Sequence, residues 1–286
     1  MDGVQELQSE FVREPEHSDA EVQAGAYLLE LSLDWIVLRA SENIHHLLGE
    51  SHVTLIDQPL GKFAHSQALH DLRNNFSRLS GTTGIGRAYG VRLTDDPDLV
   101  DIAFQLSEDR ILFEAVPSVG SFGAKFGTVG GLAAGLANIR GQALLDAGAR
   151  RMRALTGYDR VTLLIADRHA ESSRGVFPGP ADMSARLPTI VADCRAEGVA
   201  LFPRDGEESI ELALMCAPDR EALEKLAAAG VLSTLRVPFI ADGTEAQFLC
   251  ESRSACEPSL ELHAAAELFA QLFALRLEID QLKPAP

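Results

Sequence analysis

The sequence predicts an α+β protein in which two antiparallel sheets follow one another along the chain and a long helix forms the C-terminal end. Three observations lead to this prediction. Strand-like stretches come in neighbouring groups joined by short turns, amphipathic helical stretches lie between the groups, and the last stretch is helical throughout. A chain of 286 residues with 46% apolar side chains is long enough for two hydrophobic cores.

The composition excludes several classes of protein. The formal net charge of −17 disfavours a nucleic-acid partner, because binding to phosphates requires a positive surface. No run of 18 apolar residues occurs, so no membrane-spanning segment is predicted. The polar, acidic N-terminus is unlike a secretory signal, and the four cysteines lack any CxxC spacing. We therefore expect free thiols and a cytoplasmic protein without a membrane partner.

The first half of the chain alternates strands and short helices. Residues 1–24 are polar and are predicted to form an N-terminal extension. Two apolar runs within 26–41 predict a β-hairpin, and helices are predicted over 41–50 and 66–81. Three strand-like stretches follow, GRAYGVRLT, LVDIAFQLS and RILFEAVPS. Two strands, short helices and three strands is the order of a PAS-like sensor domain, which we place at 25–120.

A glycine-rich stretch joins the two halves. Residues 118–135 contain six glycines, which predicts a flexible linker, placed at 121–131. The stretch has no Gly-Lys-Ser/Thr ending and no GxGxxG between a strand and a helix, so phosphate binding is not predicted.

The second half has the pattern of a GAF-type domain, placed at 132–286. Helices are predicted over 132–157, 180–197, 217–231 and 257–283. The strand RVTLLIAD follows the first helix, and VALF is a candidate short strand. Between the last two helices, STLRVPFI and EAQFLCES flank Ala-Asp-Gly-Thr, whose central Asp-Gly pair favours a two-residue hairpin turn.

Five stretches of the chain resemble the PAS–GAF sensory core of bacterial phytochromes, in the family's order and over nearly the whole length. They are REPEHSDAEVQAGAYLLEL, TGYDRVTLLIAD, APDREALEKLAAAGV, ADGTEAQFLCESRS and AAAELFAQLFALRLE. The resemblance implies two sensor domains, a PAS-like one followed by a GAF-like one, and a linear tetrapyrrole bound by the second.

The residues that would attach this tetrapyrrole differ from the family's. The family's N-terminal attachment cysteine falls on Phe11 or Val12, and no cysteine precedes Cys194. A thioether cannot form without a thiolate. The histidine of the family's SPxH helix falls on Ala222 or Arg220. The resemblance is therefore to a degenerate member that lacks a covalent chromophore, and no cofactor is predicted.

The resemblance also places the walls of the pocket. Its candidate binding residues are Asp182, Met183, Ala222 and Ser252, with Leu226 and Phe248 as further walls. The segment before Asp182 is shorter than in the family, and proteins rarely keep large voids. We expect a collapsed, mostly apolar pocket, with Cys216 near its rim.

The cysteines offer a different input. A sensor without pigment could respond to oxidation, with Cys216 and Cys250 as the redox candidates. Glu251 beside Cys250 would raise its pKa, however, and free cysteines are commonly buried and inert. Both alternatives stay open at this stage.

Neither a metal site nor an enzyme is predicted. Five histidines fall close together (His45, His46, His52, His65 and His70), but neighbours on a helix point about 100° apart. No set of nucleophile, base and acid is recognisable, and GxSxG is absent.

The last helix carries Leu268, Leu272, Leu275 and Ile279 at steps of four, three and four. This spacing is typical of a coiled-coil seam and predicts a homodimer. A helix packed on a sheet would show much the same stripe.

These observations together predict a phytochrome-like signal-transduction module. It would act as a light-independent regulatory dimer, responsive to redox state or to a ligand, with a downstream kinase or regulatory protein as its partner. Two alternatives remain: a photoreceptor that binds bilin weakly and without a covalent bond, and a ligand-free scaffold for protein interactions.

Overall fold

The computed structural model describes residues 20–79, 84–107, 109–120, 123–183, 187–204 and 209–282. In these ranges the chain forms an antiparallel sheet of seven strands and another of five. The strands are β1 (Glu21–Gln23), β2 (Tyr27–Ser32), β3 (Val37–Ser41), β4 (Gly86–Val91), β5 (Val100–Ser107), β6 (Arg110–Pro117), β7 (Arg160–Ile165), β8 (Arg168–Ser173), β9 (Ile190–Val191), β10 (Gly198–Phe202), β11 (Ser233–Ala241) and β12 (Thr244–Ser252). The α-helices are α1 (His45–Leu48), α2 (His52–Leu55), α3 (Ser66–Ser77), α4 (Ala124–Ala134), α5 (Gly141–Thr156), α6 (Arg220–Ala228) and α7 (Leu260–Leu282).

The first sheet has the order β1-β10-β3-β2-β6-β5-β4. Its central strands β2, β3, β5 and β6 are those predicted for the first half. One face packs with α1–α3 around a core that contains Trp35, Phe104 and Phe113. Alternate residues of the same strands, such as Leu28 and Leu112, belong to the core of the second half. The two halves therefore share buried apolar surface.

The second sheet has the order β8-β7-β12-β11-β9. Asp242 and Gly243 join β11 to β12 with φ angles of 49° and 70°, which confirms the predicted two-residue turn. Helices α5 and α7 pack on one face. There Phe248 stacks on Phe239 with ring centroids 5.3 Å apart and meets Phe273 edge-on at 5.5 Å.

Three expectations about secondary structure differ from the structure. Within the glycine-rich 121–131 stretch, residues 124–131 are helical, since they belong to α4, which packs against α7. Of the helix expected over 132–157, residues 132–134 are the end of α4, and the helix α5 begins only at Gly141. The helix expected over 180–197 is wrong: its described residues form loops and the short strand β9.

The second half also contributes one strand to the first sheet, which the sequence did not predict. Strand β10, from the second half, pairs with β3 and with β1 in the first sheet. On its other side β1 meets the second half again, because Gln23 donates from its backbone N–H to the carbonyl of Met215 at 3.0 Å and Val22 forms a bridge with Cys216. The N-terminal strand thus lies between two stretches of the second half.

Candidate ligand cavity

A cavity of about 360 Å³ lies between α6, the loop that precedes β9 and the outer face of β12. Its lining residues are Pro180, Asp182, Leu187, Asp219, Glu221, Ala222, Lys225, Leu226, Ala229, Leu249 and Glu251. The position is the one that the resemblance assigns to the chromophore. The volume is at the small end of the range for ligand pockets, about 300–1,000 Å³.

Helix α6 forms the roof of the cavity. Asp219 is its N-cap, and its carboxylate accepts a hydrogen bond from the N–H of Ala222 at 2.7 Å. Gly230, with a φ of 69°, follows the C-terminal end of the helix. Ala222, Leu226 and Ala229 are spaced at four and three residues, so they lie on one helix face and line the cavity together.

Strand β12 forms the floor, and its alternation decides which side chains reach the cavity. Leu249 and Glu251 line it. Phe248 and Cys250 belong to the core with α5 and α7, on the other face of the sheet. Ser252 follows Cys250 by two positions, so it faces the same side of the sheet as these two residues and does not line the cavity.

A buried ion pair stands at the end of the floor. Arg160 on β7 donates from Nε to Oε2 of Glu251 at 2.6 Å, and 3% and 4% of the two side chains are exposed. The guanidinium also donates to the carbonyl of Gly179 at 2.6 Å. Its carbon lies 4.1 Å from the centre of the Phe177 ring, within cation–π range.

Besides Gly179, two more residues of the loop that precedes β9 accept hydrogen bonds from this face of the sheet through their carbonyl groups. Gln247 donates from Nε2 to the carbonyl of Met183 at 3.1 Å. Arg236 donates from Nη1 to the carbonyl of Leu187 at 2.7 Å. Together with Arg160, these side chains hold the loop against the sheet beside the cavity.

A second charged cluster flanks the ion pair. Asp159 accepts hydrogen bonds from Arg174 at 3.0 Å and from the backbone N–H of Arg253 at 3.1 Å. Although burial acts to raise it, the hydrogen bonds from Arg253 and Arg174 lower the pKa of Asp159 overall. The ionised carboxylate therefore fixes the end of β12 next to Glu251.

The structure brings together some of the residues proposed for the pocket. Asp182 and Ala222 both line the cavity, Asp182 as an exposed residue at its edge. The carbonyl of Met183 accepts the hydrogen bond from Gln247, and its side chain does not line the cavity. Ser252 and Phe248 lie on the other side of the sheet, because the period of two in a strand sends neighbours to opposite faces. Phe11 and Val12 lie outside the described residues.

The redox candidates are separate from the cavity. Cys250 is fully buried, and burial raises the pKa of its thiol, which opposes thiolate chemistry. Cys216 is half-buried at the bridge to Val22 and does not line the cavity; its expected place near the rim stays a prediction. In the part of the chain that is described, no three histidine, cysteine or acidic side chains are grouped to hold a metal ion.

Arg160 was not predicted from the sequence, and Glu251 was not among the candidate binding residues. A signal for Glu251 was present, since counting alternate residues back from it along β12 reaches Leu249 and Gln247 on the same face. The partner Arg160 could not be found in this way, because it lies 91 positions away in sequence.

The outward side of α7 carries the predicted stripe. Leu268, Leu275 and Ile279 are exposed, whereas Leu272 is partly buried against the core. The opposite side, with Phe269, Phe273 and Leu277, is buried. Within the described residues, no helix is both long enough and apolar enough to span a membrane.

Comparison with solved structures identifies the architecture. The chromophore-binding domain of a phytochrome from Stigmatella aurantiaca aligns with a TM-score of 0.73 and 21% identity, over 96% of this chain and 99% of that one. The chain therefore has the fold of a phytochrome chromophore-binding domain. The corresponding domain of an unusual bacteriophytochrome from R. palustris aligns with a TM-score of 0.71 and 20% identity, over 94% and 98%.

A longer structure gives the same result. The photosensory core module of the Stigmatella aurantiaca phytochrome aligns with a TM-score of 0.76 and 22% identity, over 94% of this chain and 60% of that one. No protein-family profile matches the sequence, and no curated protein matches it either. The relationship is thus carried by the fold, which confirms the predicted α+β architecture of two antiparallel sheets and a C-terminal helix.

Proposed function

We propose that this chain is a phytochrome-like signal-transduction module that works without an attached tetrapyrrole and independently of light. The volume of the cavity carries the proposal. At about 360 Å³ the cavity is at the small end of the range for ligand pockets, about 300–1,000 Å³, whereas a tetrapyrrole has four rings and two propionate chains. This size supports a site that does not hold such a molecule.

The chemistry of the walls supports the same proposal. No cysteine precedes Cys194, so a thioether near the N-terminus has no sulfur. The space beside the cavity is taken by the chain's own loop, tied through the carbonyls of Gly179, Met183 and Leu187. A tetrapyrrole that occupied this space would displace these partly buried hydrogen bonds, and each buried group left without a partner costs about 1–3 kcal/mol.

The spectroscopic test is co-expression with a source of biliverdin. We expect purified protein without a visible absorption band and without a zinc-fluorescent band on a denaturing gel. A band that survives denaturation would contradict the proposal outright. A visible band that is lost on denaturation would instead favour the weak, non-covalent photoreceptor.

We further propose that the module is a homodimer that signals through α7 to a downstream kinase or regulatory protein. Three apolar side chains on its outward side, Leu268, Leu275 and Ile279, are exposed to solvent. Their spacing is that of a coiled-coil seam, and burial of a leucine stabilises association by about 1.5–3 kcal/mol.

The variant Leu275→Glu tests this interface. We expect light scattering to give a dimer for the unmodified chain at micromolar concentration and a monomer for the variant. Ile240→Glu is the matched control, because Ile240 is similarly exposed (59% against 55%) but lies on β11. A monomeric unmodified chain, or equal dissociation by both variants, would refute the interface.

A further inference from the structure

We propose that the cavity under α6 binds a compact molecule of one or two rings that carries an N–H donor group or a positive charge, and that Glu251 is its anchor. The inference rests on the proposed function in one respect: it takes the cavity to be the input site of a module without a tetrapyrrole.

The carboxylate of Glu251 is the first observation. Its residue is 3% exposed and lines the cavity. Oε2 accepts from Arg160. No hydrogen bond to Oε1 is found among the described residues, and Oε1 is not one of their fully buried atoms without a partner, so it is open to the cavity. An ionised carboxylate offers about four acceptor positions, so this oxygen can accept from a ligand. A donor group on a ligand would satisfy the second oxygen.

The charge of the remaining lining excludes anions. Asp182, Asp219 and Glu221 are acidic, and Lys225 is the basic residue that lines the cavity. Its Nζ lies 2.7 Å from Oε1 of Glu221, so this cation is paired on the surface of α6. An anionic ligand would face a surplus of negative charge, whereas a cation or an N–H donor would be attracted.

The shape of the cavity sets the size of the ligand. Leu187, Leu226 and Leu249 give apolar walls, and Ala222 and Ala229 on α6 leave the space that larger side chains would fill. Small-molecule sites commonly combine apolar walls with a small number of polar groups that fix the orientation of the ligand. A planar ring with an amine or amidine substituent meets both requirements.

Arg160 fixes the position of the Glu251 carboxylate without a ligand. Arg160 bonds Glu251, bonds the carbonyl of Gly179 and stacks on Phe177, so the carboxylate has a fixed position on the sheet. A rigid partner spares the ligand the loss of side-chain freedom on binding.

Benzamidine and benzoate are the probes, because they share size and shape and have opposite charge. We expect benzamidine to bind the unmodified protein with a Kd of the order of 1 mM, measured by ligand-observed NMR, and benzoate to bind at least tenfold more weakly. Glu251→Gln should weaken benzamidine at least tenfold. Glu224→Gln is its matched control on the exposed side of α6 and should leave the Kd unchanged.

Ala222→Phe keeps the test decisive if Glu251→Gln does not fold. It places a ring inside the cavity while leaving Glu251 and Arg160 unchanged, and it should weaken benzamidine binding at least tenfold. Equal binding of the two probes, no binding of benzamidine, or unchanged binding to Ala222→Phe would overturn the inference. These failures differ from that of the proposed function, which would appear as a bilin band in the absorption spectrum.

Discussion

The Nε atom of Arg160 lies 2.6 Å from Oε2 of Glu251, and both side chains are almost wholly buried. The two residues belong to neighbouring strands, where Arg160 and Glu251 are direct partners in the register of β7 and β12. In a buried ion pair, each charge has lost its hydrating water and is compensated by the other charge. The loss of either partner therefore leaves an uncompensated charge in the interior.

The first prediction follows from that pair. Glu251→Ala should lower the free energy of unfolding by about 3–5 kcal/mol, because Arg160 stays buried without its counter-ion. Urea denaturation followed by circular dichroism measures the loss. Glu224→Ala removes an exposed carboxylate paired with Arg220 and should change stability by less than about 0.5 kcal/mol. A similar, small effect of both substitutions would show that the buried pair does not stabilise the sheet.

The second prediction concerns the contact between α5 and α7. A Cβ atom at Gly148 would lie 2.5 Å from Cε2 of Phe273, whose ring is fixed by Phe248 and Phe269. Gly148→Ala should therefore destabilise the protein by about 1–3 kcal/mol through overpacking.

Gly127→Ala is the matched control for this substitution. Gly127 is a residue of α4 with no atom within 4 Å of an added Cβ, so alanine should stabilise by about 0.5–1 kcal/mol through helix propensity. Thermal unfolding should move the two melting temperatures in opposite directions. Parallel shifts would mean that helix propensity alone decides both positions.

The fold was largely predictable because its main elements carry local patterns. The β11–β12 hairpin is specified by Asp242 and Gly243, which tolerate positive φ, and α6 by the cap at Asp219 and by Gly230. One error came from a stretch in which packing outweighs composition. The glycines of α4 suggested a linker, yet Val129 is buried there and the helix packs on α7.

The pairing of β10 with strands of the first sheet had no local signal in the sequence. VALF suggested a short strand, but nothing in its composition says that β10 joins the first sheet beside β3 and β1. Long-range pairing of this kind depends on the position of whole elements. For the same reason the family resemblance could place Ala222 in the cavity, whereas nothing in the sequence could place Arg160 opposite Glu251.

The third prediction separates the four thiols by their burial. Cys194 and Cys250 are buried, and burial raises the pKa of both thiols, whereas Cys216 and Cys256 are half-buried. A disulfide reagent such as DTNB at pH 8 should therefore modify two thiols quickly and two only after unfolding. Mass spectrometry of tryptic peptides identifies which pair reacts first. Fast modification of Cys250 would restore it as a redox candidate.

The last prediction concerns a buried carboxylate at the junction of the halves. Glu114 on β6 accepts hydrogen bonds at 2.9 Å from the backbone N–H groups of Leu214 and Met215. Burial raises the pKa of Glu114 to about 7, although those two hydrogen bonds and the charge of Arg87 act in the opposite direction. The native state therefore holds a proton that the unfolded chain has already lost between about pH 4.5 and 7.

The sign of the pH dependence follows. The contribution of Glu114 to stability is fully present below the unfolded pKa and is lost as the pH rises through the folded value, by about 3 kcal/mol in total. Glu114→Gln cannot titrate, so the difference in unfolding free energy between it and the unmodified protein should shift in favour of the variant as the pH rises from about 4.5 to about 7 and then level off. Glu224→Gln is the exposed control and should show the pH profile of the unmodified protein. Parallel profiles for all three proteins would show that Glu114 does not exchange its proton in this range. In that case the hydrogen bonds of Glu114 with Leu214 and Met215 would stay the same across this pH range. They would connect β6 to the segment whose Met215 carbonyl accepts a hydrogen bond from β1.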